Sequence, residues 1–178
     1  MEKKNNFAYI DGANLHKGIK GLGWAMDYKR FRIWLREKYF IKRAYIFIGL
    51  VSKNKDLYNF LQEAGFTLVF KETTCDGEGK IKGNCDADLV LKATIDCYER
   101  QFDKAVIVSS DGDYAGLVKF FRQKGVFLSL ISPNDKCSIF LRKLNIPLTY
   151  LSTQRNKLIY RQKEKAPDTD GTVTGSFS

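Results

Sequence analysis

Strand-length apolar runs alternate with segments of helical period along this 178-residue chain, and few sequence features restrict a fold more strongly. The runs are FAYI (7–10), RAYIFIGL (43–50), FTLVF (66–70), KAVIVS (104–109), VFLSLI (126–131) and PLTYL (147–151). Helical spacing fills the intervals at 27–39, 54–64, 86–100, 114–124 and 135–144. Strand, helix, strand in that order predicts parallel strands joined by crossover helices, a doubly wound α/β domain over residues 1–152. Gly65 and Gly125 each close a helical segment and precede a strand, the position of a C-terminal cap. The stretch ETTCDGEGKIKGN (72–84) breaks the alternation and reads as a loop or small hairpin. Its acids do not follow the twelve-residue spacing of an EF-hand.

Beyond residue 152 the chain is basic to 165, then polar and small, which predicts a disordered tail at 166–178. No apolar run approaches the roughly 20 residues of a membrane span, and the first residues lack a secretion signal's apolar core. The expectation is a cytoplasmic chain with no membrane partner; self-association stays open. Cys75, Cys85, Cys97 and Cys137 form no CxxC pair and read as reduced thiols. With His16 as the one histidine, a zinc site or a Ser/His/Asp triad has almost no material.

Aspartates mark the strand ends. FAYI runs straight into Asp11, and KAVIVSS runs into Asp111, with Asp113 two residues on at the start of the next helical segment. In an open parallel sheet, ligands bind at the carboxyl ends of the strands, where chain connections diverge. A third acidic group opens the segment at 86. Asp86 shares a helical face with Leu89, Val90, Ala93 and Cys97 and is directed inward, while Asp88 lies about 200° around the helix. Helix capping is the alternative for Asp88 and for Asp113. Asp96, farther along, is a weaker candidate that also suits a surface. Converging carboxylates repel one another unless a cation neutralises them, and oxygen donors without His or Cys suit Mg²⁺ or Mn²⁺. Asp11, Asp86 and Asp111 are expected around a common point, with Asp113 slightly farther out.

Thirty Lys and Arg against twenty Asp and Glu leave a net charge of +10, which favours polyanionic partners. A hard cation beside a basic surface fits phosphodiester hydrolysis, with RNA as the partner. Lys17, Lys82, Arg122 and Lys124 are candidates for phosphate contacts.

The ordered motifs YIDGANL (9–15), KGNCDADLVLKA (82–93) and VSSDGDYAGLV (108–118) resemble the NYN domain. That family includes the LabA-like proteins and belongs to the PIN-like nuclease superfamily. The resemblance covers residues 5–152. It implies a PIN-like three-layer α/β fold, a central mostly parallel sheet flanked by helices, and metal-dependent cleavage of RNA. By position it implies Asp11 with Asn14 as helix partner, Lys82, Gly83 and Asp86 as the KGxD-like element, and Ser110, Asp111 and Asp113 as the last. One residue more than the usual spacing leaves Asp86 and Asp88 both open as ligand. A HAD-like phosphatase would need an acid where Ala13 stands. The remaining rival is a PIN-like module that binds RNA or a protein without cutting.

Overall fold

The computed structural model describes residues 4–71 and 85–161, and the backbone of 74–75 and 81–82. Six parallel strands form the central sheet: β1 (Asn6–Asp11), β2 (Ile41–Gly49), β3 (Thr67–Lys71), β6 (Ala105–Val108), β7 (Phe127–Ser132) and β8 (Leu148–Tyr150). Their spatial order is β3-β2-β1-β6-β7-β8. Between β3 and β6 the pair β4 (Thr74–Cys75) and β5 (Ile81–Lys82) is antiparallel, the small hairpin expected for 72–84.

Alternation along the strands builds two cores. Ala8 and Ile10 of β1 turn to the face covered by α1 (Gly12–Gly21), α2 (Tyr28–Tyr39) and α3 (Lys55–Glu63), packing with Leu15, Phe31, Leu35 and Leu61. Phe7 and Tyr9 turn to the other face, under α4 (Asp86–Tyr98), α5 (Ala115–Gln123) and α6 (Ile139–Arg142). The second core is aromatic, with Tyr9 stacked on Tyr45 at 5.6 Å and 18°. Right-handed crossovers explain the arrangement. The chain winds outward from β1 to β3 with helices on one face, then α4 crosses beneath to β6 on the other side of β1.

Gly65 and Gly125 take φ of +93° and +68°, the left-handed conformation of a helix C-terminal cap. Helix α1 is absent from the periodicity reading because Gly12, Gly18 and Gly21 depress its apparent propensity. Two of these glycines answer to close packing. A Cβ on Gly12 would come within 2.8 Å of the Phe47 carbonyl, and one on Gly18 within 2.4 Å of the Pro133 ring. The segment expected as a helix at 135–144 is helical only over Ile139–Arg142. Before it, the Ser138 amide donates to the Ser110 carbonyl at 3.0 Å, so the chain is held across the sheet edge instead of coiling.

Residues 153–160 stay attached to the body. α7 (Arg155–Leu158) buries Leu158, Asp27 N–H donates to the Leu158 carbonyl, and Tyr160 N–H donates to Ala25. The segment 162–178, with the tail expected at 166–178, lies outside the described residues. No described helix is long and apolar enough to cross a membrane. Cys85, Cys97 and Cys137 are free thiols.

Candidate functional site

Strand order decides where the aspartates meet. From β1 the chain leaves toward β2, whereas β6, on the other flank of β1, leads away toward β7. The carboxyl ends of β1 and β6 therefore border the crevice where connections diverge. Asp11 ends β1, and Ser109, Ser110 and Asp111 follow β6. Helix α4 begins over the same place, because its Leu89 and Ala93 face packs against β1 and points Asp86 toward the edge.

Asp86, Asp111 and Asp113 each offer a carboxylate oxygen within 4.8 Å of the others. Asp113 belongs to the one-turn 3-10 segment Gly112–Tyr114, which Asp111 caps by accepting from the Asp113 amide at 3.0 Å. Close packing shapes this turn too. A Cβ on Gly112 would meet Ser138 Oγ at 2.5 Å and the exposed Phe140 ring at 3.1 Å.

Asp11 stands behind this trio instead of within it. It is 6% exposed and caps α1, Oδ1 accepting from the Asn14 amide at 3.0 Å. Its Oδ2 accepts from Ser109 Oγ at 3.5 Å and from the Tyr114 hydroxyl at 3.3 Å. Tyr114, fully buried, also donates to Asp86 Oδ1 at 2.5 Å and so links the rear acid to the front group. Asn14 ties the two strand ends, its side-chain oxygen accepting from Ser110 N–H at 2.9 Å and Ser110 Oγ at 3.0 Å. Among these four acids the caps are thus Asp11 and Asp111, not Asp88 and Asp113, because the two strand-end acids precede a helical turn with extended backbone.

The other candidates fall elsewhere. Asp88 points away from the trio and pairs with Lys71 at 3.3 Å. Asp96 is no surface residue: 1% exposed, it accepts from the Tyr9 hydroxyl at 2.8 Å and from Lys92 at 2.5 Å. Lys17 is exposed on α1, and the Lys82 side chain and Gly83 lie outside the described residues. Arg122 donates to the Leu144 carbonyl, and Lys124 lies 4.9 Å above the Tyr98 ring. Both stand at the far end of α5, roughly 13 Å of helix from the Asp111–Asp113 turn. Ser109 and Tyr114 join the site beyond the residues expected from sequence. A serine closing the apolar run AVIV is a usable sequence signal for the first; the hydroxyl partners of Tyr114 have none in sequence.

Burial holds the Asp11 carboxyl above its ordinary value; Asn14 opposes the rise, Asp86 and Asp111 add to it, and Tyr114 opposes it. Burial, then Asp11 and Asp86, push the Tyr114 phenol far up, so it remains a proton donor. The neighbouring Cys85 thiol is also pushed up, first by burial and then by Asp11 and Asp88. The trio itself is all oxygen. Ligands about 2.1 Å from a small divalent ion sit about 4.2 Å apart when opposed, so a 4.8 Å group closes on one with small side-chain movements. The donor set fits Mg²⁺ or Mn²⁺.

No curated protein matches the chain. A solved structure of a protein of unknown function from Vibrio parahaemolyticus is similar in fold, with a TM-score of 0.70 at 17% identity. The alignment covers 90% of this chain and 99% of that one. The NYN domain family matches residues 8–144, a span that begins in β1, ends after α6 and encloses all four acids. PIN-like nucleases typically use divalent metals, in keeping with the acidic group at the switch point. The chain belongs to the NYN domain family, within the PIN-like nuclease superfamily.

Proposed function

We propose that this chain is a metal-dependent ribonuclease that hydrolyses RNA phosphodiester bonds, acting as an endonuclease. The observation that carries the reading is the gathering of Asp86, Asp111 and Asp113 oxygens within 4.8 Å at the sheet's switch point. These three carboxylates would hold a Mg²⁺ or Mn²⁺ ion, which when bound supplies Lewis-acid polarisation of the phosphodiester and activation of water.

The chain's own residues prepare the site. Asp11 adds negative charge from behind, and Tyr114 donates to both Asp11 and Asp86, easing their repulsion. Asn14 bridges the two strand ends through Ser110 and fixes the spacing of Asp11 and Asp111. The excess of Lys and Arg draws the substrate; Lys17 and Lys82 are the proposed phosphate contacts.

The test is cleavage of single-stranded and structured RNAs by purified protein with Mn²⁺, Mg²⁺ or EDTA. Internal cuts that require the metal are expected. A protein that binds RNA but never cuts it with either ion would replace the nuclease reading with that of a binding module.

A further inference from the structure

Two hollows lie along α1 on the sheet face covered by α1, α2 and α3. The first, about 440 Å³, sits between α1 and α3 and reaches Gly12, the residue after Asp11; Ile46, Ile48, Leu57 and Leu61 wall it. The second, about 410 Å³, continues past Lys20 and Trp24. His16 and Tyr28 line both, so the pair forms one trough that begins at Gly12, next to the Asp11 end of β1. Each volume falls in the range of small-molecule sites, about 300–1,000 Å³.

The chemistry of the first hollow narrows its occupant. Its wall is apolar, yet His16, Tyr28 and Asn54 also line it, the first exposed and the other two half-buried, so that their polar groups are open to water or to a ligand. Apolar walls with a few accessible polar groups suit a flat heteroaromatic ring whose edge carries donors and acceptors. Lys17 and Lys20 are exposed on α1, three residues apart on one side, where they can meet phosphates. Trp24, half-buried in the second hollow, offers a ring for stacking.

We propose that the hollow beside Gly12 is a nucleobase subsite that holds one base of the RNA strand flanking the phosphodiester at the acidic centre. The inference rests on the nuclease reading for its substrate. An apolar side chain of a protein partner would fill the same walls but cut His16, Tyr28 and Asn54 off from water without replacing those hydrogen bonds, which costs binding energy.

The test needs neither metal nor cleavage. Short single-stranded RNAs carrying 2-aminopurine at successive positions are titrated with the full chain in EDTA. Emission should change on binding at one position or two adjacent ones. Leu57→Trp, which fills the hollow from a rim position 39% exposed, should abolish that change and raise Kd about 10-fold. Asn54→Ala removes an accessible amide and guards against a packing failure of the first variant; it should weaken the signal with Tm unchanged. A titration in which no position responds, or RNA that fails to bind at all, overturns the subsite. A response that survives both variants also overturns it and leaves the hollow to another occupant, such as a protein side chain. A base signal in wild type without Mn²⁺-dependent cleavage sinks the nuclease reading and keeps the subsite. Cleavage without a base signal does the reverse.

Discussion

The Tyr114 hydroxyl donates to Oδ1 of Asp86 across 2.5 Å, from a ring that is fully buried. The same hydroxyl lies 3.3 Å from Asp11, so one donor serves an acid from α4 and an acid from β1. Tyr114→Phe keeps the ring and deletes the proton between two carboxylates. We expect Mn²⁺ affinity, measured by calorimetric titration, to fall about 10-fold, the usual effect of losing an outer partner of a metal ligand. Unchanged affinity would show that Tyr114 only fills space.

Asp111→Asn keeps the shape of the strand-end side chain and its ability to accept from the Asp113 amide. It removes a charge that a hard ion needs. Cleavage should drop to background while circular dichroism and most RNA affinity persist, because that affinity is assigned to Lys and Arg. Equal cleavage by wild type and variant would point to a contaminating nuclease.

Asp96 provides the matching control. It is buried and carboxylate-bearing but engaged with Tyr9 and Lys92, away from the trio. Asp96→Asn should lower stability by about 1–3 kcal/mol in urea melts and leave kcat alone. A loss of metal affinity in this variant would move the centre along α4.

Gly12 tests the fit of α1 against β2. An alanine methyl would approach the Phe47 carbonyl at 2.8 Å, a contact that must be relieved by shifting backbone. Gly12→Ala should cost about 1–3 kcal/mol of stability, as overpacking does, and disturb the neighbouring Asp11 cap. A melt identical to wild type would mean that the helix start yields freely.

RNA affinity should fall steeply with salt, since phosphate contacts release counterions; each contact contributes a slope of about 0.7 in log Kd against log salt for a single strand. Fluorescence anisotropy across a salt series checks this. A flat dependence would rule out a phosphate-tracking surface despite the net charge of +10.

By itself the sequence determined the local terms of this structure. Six apolar runs placed the strands, Gly65 and Gly125 marked helix ends, and spacing turned Asp86 inward on the face of Leu89 and Ala93. These are legible because strand and helix periods act within one element, where residue spacing fixes direction. Tertiary structure decided which elements meet. The order β3-β2-β1-β6-β7-β8 sets β1 beside β6, and no periodicity encodes that pairing. From it follow the closing of the trio by Asp113, the retreat of Asp11 behind Tyr114, the pairing of Asp88 with Lys71 and the burial of Asp96 under Tyr9. The physical reason is that a side chain's partner across the fold depends on strand order and helix placement, which arise from packing the two faces of the sheet.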